Sequence, residues 1–104
     1  MKRIINRKIY DTETAELLHE WNNGRFGNDF RAKEESLYRT KKGNFFIAGS
    51  GGAMTEYAVS CGNNSTSGSS NIYVISKSEA INWLEEHDGD DVLLQYFKDE
   101  VEEA

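Results

Sequence analysis

The chain has one cysteine, Cys61, two histidines, and no stretch approaching the ~20 consecutive apolar residues of a membrane span. A lone cysteine excludes an intramolecular disulfide and a zinc site built from four thiolates, and it fits a reducing cytosol. The opening Met1-Lys2-Arg3-Ile4-Ile5-Asn6-Arg7 starts with bases, as a secretory signal does, but lacks the apolar stretch of one. These scarcities predict an intracellular protein with no membrane contact, no metal and no cofactor.

What is present points to a folded domain. Hydrophobic residues make up 38% of the 104, and twelve are aromatic, too many for a disordered acidic chain. That length gives one domain with a modest core that needs no covalent staple.

Charge is distributed unevenly. From Glu85 to the end there are nine acids (Glu85, Glu86, Asp88, Asp90, Asp91, Asp99, Glu100, Glu102 and Glu103) against Lys98 alone, a net of −8. The first 84 residues carry eleven bases and nine acids, a net of +2. A surface of one sign steers partners of the other, so the acidic segment repels nucleic acid and favours a basic protein. It is suited to a groove that otherwise holds a phosphate backbone. The plainer alternative is an acidic end that only keeps the chain soluble.

Local patterns outline the elements. Ile4-Ile5 and Ile9-Tyr10 flank the polar turn Asn6-Arg7-Lys8 and predict a hairpin over residues 1–11. Residues 12–22 fit strand or helix; the strand reading puts Leu17, His19 and Trp21 on one face. Asn22 to Asn28, with Arg25 and Phe26, reads as a loop. The strongest local signal is a second hairpin: Glu35–Thr40 and Asn44–Ala48 around Lys41-Lys42-Gly43, with glycine where a positive φ is needed. Gly49-Ser50-Gly51-Gly52 should end it with flexible backbone. Ala53–Val59 reads as a short strand or a turn of helix, Asn63–Ser70 as an exposed loop, and Ile72–Ile75 as a strand. Ser76 and Glu79 form a capping-box pattern that opens a helix with the stripe Ala80, Ile81, Trp83, Leu84. His87-Asp88-Gly89 stops it, and Asp90 caps a second helix carrying Val92, Leu93, Tyr96 and Phe97.

The fold expected is therefore α+β: a mainly antiparallel sheet from residues 1–76 packed against two C-terminal helices in the acidic segment 77–104, all one domain. The expected core is Ile4, Ile9, Leu17, Trp21, Leu37, Phe46, Tyr73, Ile75, Ile81, Leu84, Leu93 and Phe97.

No catalytic motif stands out. His19-Glu20 begins like a zinc-protease helix, but no second histidine follows four residues on. His19 and His87 could pair on a metal only if the fold joined them. The glycine run at 49–52 lacks the Lys-Ser/Thr ending of a P-loop, and Ser50 has no nucleophile-elbow frame. Cys61 has no identifiable base. Arg39, Lys41 and Lys42 with Tyr38 and Phe45 mix bases and aromatics, as a surface for single-stranded RNA does, or simply form an exposed hairpin tip.

Three segments together resemble a known group: Ile9-Tyr10-Asp11-Thr12-Glu13-Thr14-Ala15, Glu35-Ser36-Leu37-Tyr38-Arg39-Thr40-Lys41-Lys42-Gly43-Asn44-Phe45-Phe46, and Gly51-Gly52-Ala53-Met54. They are similar to small proteins of conjugative elements, plasmids and phages of Gram-positive bacteria, part of which resembles anti-CRISPR proteins directed at type II-A Cas9. The resemblance implies a cytoplasmic protein of the bacterial host cell that binds Cas9 or the Cas9–guide RNA complex and interferes with guide loading or nucleic-acid binding. Members of that broad class act sterically or by damaging guide RNA. The positively charged channels of Cas9 favour the steric mode for an acidic chain, which would not bind DNA directly. Two alternatives remain: a small ribonuclease-like enzyme using His19 or His87, and a nucleic-acid-binding regulator using the Arg39-Lys41-Lys42 tip.

Overall fold

The computed structural model describes residues 1–25, 29–62 and 65–104. Phe26 and Asn28 of the expected loop, and Asn63 of the expected polar stretch, lie outside the described residues.

Strands β1 (Lys2–Ile5) and β2 (Lys8–Asp11) form the first hairpin, joined by Asn6 and Arg7, both at positive φ. This two-residue turn has the backbone twist that matches paired strands, although an arginine in its second position is costly. The central sheet holds β3 (Glu16–Asn22), β4 (Lys33–Arg39), β5 (Phe45–Gly51) and β8 (Ser69–Ile75), antiparallel in the order β3-β4-β5-β8. Strands β6 (Val59–Ser60) and β7 (Thr66–Ser67) make a small separate pair. Helices α1 (Lys77–Glu86) and α2 (Asp90–Tyr96) follow, then a 3-10 turn at Lys98–Glu100. The α+β architecture read from the sequence is what the chain adopts.

The pleat sorts side chains onto two faces. On one, Leu18, Leu37 and Ile47 pack with Ala80, Trp83, Leu84, Leu93 and Phe97 of the helical segment. On the other, Phe46 and Ile72 pack with Tyr10 from the first hairpin, and Tyr10 meets the Phe46 ring edge-on at 5.5 Å. The first hairpin is thus a separate lid on the back of the sheet, held also by hydrogen bonds from Arg3 to Asn71 and to the Ile72 carbonyl.

Four expected core residues lie outside it. Ile4 and Ile9 pair directly across the first hairpin and face solvent, because Ile5 and Tyr10, one step along each strand, take the inward face. Leu17 is exposed because of a bulge: Leu17 pairs with Tyr38 and His19 with Leu37, so Leu18 is the extra residue and turns inward. His19 and Trp21 keep one face, and the bulge shifts Leu17 to the other. Tyr73 is 38% exposed, its ring near the surface while its hydroxyl reaches inward.

Boundaries moved where backbone geometry overrides composition. Gly49 and Gly51 continue β5 in register with Asn71 and Ser69 rather than ending it. A Cβ on Gly49 would stand 1.9 Å from the Tyr57 hydroxyl, and one on Gly51 2.2 Å from the Thr55 hydroxyl. These glycines admit the 53–58 turn against the sheet. Ser69 and Ser70 belong to β8, so the polar stretch is not all loop. The capping box at Ser76 and Glu79 forms as expected. The stop after α1 uses Asp88 at φ 60, while Gly89 at φ −88 is packed under Leu84. Gly89 is also the N-cap of α2, with Asp90 the first helical residue and no side-chain cap.

Candidate functional site

All nine C-terminal acids are exposed. Glu85 and Glu86 end α1, Asp88 lies in the connection, Asp90 and Asp91 open α2, and Asp99 and Glu100 are in the 3-10 turn ahead of Glu102 and Glu103. The first turn of a helix welcomes an acid and its last turn opposes one. Asp90 and Asp91 therefore have a local structural role, whereas Glu85 and Glu86 sit where the helix electrostatics disfavour them. Among the described residues, one cation pairs with the nine: Lys77 Nζ reaches Glu100 Oε1 at 2.9 Å. The segment thus presents nearly uncompensated negative charge to solvent.

The fold brings His19 and His87 together, each with one ring nitrogen on a backbone carbonyl. His19 Nε2 lies 2.7 Å from the His87 carbonyl, and His87 Nδ1 lies 2.6 Å from the Trp83 carbonyl. Carbonyls only accept, so both ring nitrogens carry hydrogen and donate. Together they satisfy two carbonyls at the end of α1 that the helix leaves open. The His87 ring stacks on Trp83 at 4.6 Å and meets Trp21 edge-on at 4.4 Å. No group of three or more metal-ligating side chains occurs among the described residues.

Beside this nest lies a group that the sequence did not single out. Glu35 on β4 is buried at 3% exposure. Its Oε1 accepts from Trp83 Nε1 at 2.9 Å, and its Oε2 accepts from the Tyr73 hydroxyl at 2.9 Å and from the Tyr57 hydroxyl. Burial alone would raise its pKa, but three donors aimed at the charged form hold it below the ordinary carboxylate value. Burial, together with the Glu35 bond, pushes Tyr57 up and Tyr73 up to about 12. A carboxylate with three donors is a satisfied anchor joining sheet, helix and turn. The available signal was parity: Glu35 lies two residues before buried Leu37, on the same face.

The expected basic tip divides. Arg39 is tied to Glu16 at 2.8 Å and lies 4.9 Å over the Tyr96 ring. Glu16 is thereby held below the ordinary carboxylate value, first by the Tyr96 hydroxyl and then by Arg39. Lys41 and Lys42 remain exposed, with Gly43 at φ 87 completing their turn. Cys61 is exposed. Among the described residues no helix is long and apolar enough to cross a membrane.

Comparison with protein-family models, curated proteins and solved structures finds no match for this chain.

Proposed function

We propose that this protein is a non-enzymatic inhibitor that docks its acidic C-terminal segment on a basic, nucleic-acid-handling effector, namely Cas9 before or during guide loading. The observation that carries this reading is the exposure of all nine acids, with a single cationic partner for them among the described residues. Uncompensated surface charge of one sign raises encounter rate and selects a partner of the other sign. The resemblance of residues 9–15, 35–46 and 51–54 to proteins of Gram-positive mobile elements supplies the choice of effector, and the positively charged channels of Cas9 supply the complement. The use of both histidines as helix-end donors supports a binding role over a nuclease role.

The test is cleavage of a target plasmid by Cas9, with the protein added before or after guide RNA and the guide run on a denaturing gel. Inhibition with intact guide, strongest when the protein is added first, is expected. A shortened guide would replace this reading with an enzymatic one. Full cleavage in both orders would remove Cas9 as the partner.

A further inference from the structure

A second charged feature, at the hairpin turns, is independent of the acidic segment. A cavity of about 430 Å³ opens between the β1–β2 turn and the β4–β5 turn, and four of its lining residues are Arg7, Lys8, Lys41 and Lys42. The two pairs are more than thirty positions apart in sequence, and only the packing of the hairpin lid on the sheet joins them. Among the described residues none of the four has a carboxylate partner within 4.0 Å, whereas Arg39 nearby is neutralised by Glu16. One acid lines the cavity, Asp11, and its Oδ1 already accepts from the Glu13 backbone at 2.9 Å.

Arg7 adds a second observation. It sits at φ 65, a conformation that L residues other than Asn and Asp rarely adopt and that glycine would adopt freely. A long cationic side chain therefore occupies a backbone position that disfavours it, lining the same cavity as three more cations.

We propose that this cavity binds a compact polyphosphate group, with Arg7, Lys8, Lys41 and Lys42 as its ligands. Its volume is that of a small-molecule site. Four cations in so small a space match a ligand that concentrates several negative charges there, and each phosphate can carry between one and two. An acidic peptide spaces its charges at ~3.3–3.6 Å per extended residue, so few of them would fit. A long nucleic-acid strand would run beyond the cavity, on a molecule whose net charge is −6. A compact ligand feels mainly the charges within a Debye length of about 8 Å.

The test is isothermal titration with tripolyphosphate, with ATP free of metal, and with an oligonucleotide lacking terminal phosphates, each at low and at physiological salt. Saturable, salt-weakened binding of tripolyphosphate is expected. Equal affinity for ATP assigns recognition to the phosphates, and tighter ATP binding adds a contribution from the nucleoside; both support the proposal. Lys41→Gln with Lys42→Gln should weaken binding about tenfold, and Arg7→Gly about three- to fivefold, in the range of partly screened charge pairs. Arg7→Gly should at the same time raise or preserve the thermal midpoint, which separates lost ligation from lost folding. No saturation at millimolar tripolyphosphate would overturn the proposal, as would affinity unchanged by the lysine pair. Tighter binding of the oligonucleotide would also overturn it, in favour of an extended strand.

Discussion

Trp83 donates its indole N–H to Glu35 across 2.9 Å, tying α1 to the second strand of the central sheet. The bond uses the one buried charged side chain among the described residues, and Tyr57 and Tyr73 complete its shell. The helical segment that carries the exposed acids is therefore anchored to the sheet by a polar bond as well as by apolar packing.

Trp83→Phe keeps most of the ring packing and removes the donor. A hydrogen bond to a charged group contributes about 1.5–3 kcal/mol, so the urea midpoint should fall by that equivalent with the slope unchanged. Glu35→Ala, which strands neutral donors on three side chains, should cost more than Trp83→Phe, since each buried donor left unsatisfied costs about 1–3 kcal/mol. Together these are a large share of the ~5–15 kcal/mol total stability of a domain this size. A loss below about 1 kcal/mol in Trp83→Phe would show that the bond is not a stabilising anchor.

The same network sets a pH dependence. Glu35 titrates below its ordinary 4.5 in the folded chain, so its stabilisation is complete above that value and is lost as pH falls through the folded one. Tyr73 is raised from 10.0 to about 12, so its contribution is complete below 10.0 and is lost as pH climbs towards 12. Urea midpoints measured against pH should decline at both ends. In Glu35→Gln the acid decline should be shallower, and an acid limb identical to that of the unmodified chain would contradict this assignment.

Gly49 is the position where the sheet admits Tyr57. In Gly49→Ala the new methyl would stand 1.9 Å from the Tyr57 hydroxyl and expel it from Glu35. Overpacking alone costs about 1–3 kcal/mol, and the loss of one of the three donors to Glu35 adds to it. Thermal unfolding of this variant should show a clear drop, and an unchanged midpoint would mean that the turn moves aside freely.

Much of this fold is legible in residue order because local chemistry and tertiary packing agree. The Lys41-Lys42-Gly43 turn and the Ser76–Glu79 capping box are written in adjacent residues and form as expected. The core positions that alternation misplaces share one cause, a face chosen by partners distant in sequence. The bulge at Leu18 and the inward turn of Tyr10 depend on what packs behind them, and alternation alone cannot fix the phase. The acids were visible as composition, and their exposure follows from charge. Glu35 was hidden because a buried carboxylate needs donors from β8, α1 and the 53–58 turn, none of which is near it in the chain. The basic cavity is half visible: residue order puts Lys41 and Lys42 at a tip with Arg39, whereas packing pairs Arg39 with Glu16 and brings Arg7 and Lys8 in its place.

Replacing both histidines by glutamine tests whether they act chemically. Glutamine can still donate to the carbonyls that His19 and His87 serve, though the stacking on Trp83 is lost. Stability should fall modestly, while inhibition by the folded fraction should persist. Loss of inhibition in a variant that remains folded would favour a catalytic role.

The most direct measurement of the central claim is the affinity for Cas9 free of guide RNA. It would compare the unmodified chain with a variant carrying Asp99→Asn, Glu100→Gln, Glu102→Gln and Glu103→Gln, across a range of salt. These side chains are exposed, so the fold should survive. Docking through the acidic segment predicts affinity at least about tenfold weaker at low salt, with a flatter salt dependence in the variant. Equal affinity at low salt would contradict it and leave the acidic segment with solvation alone.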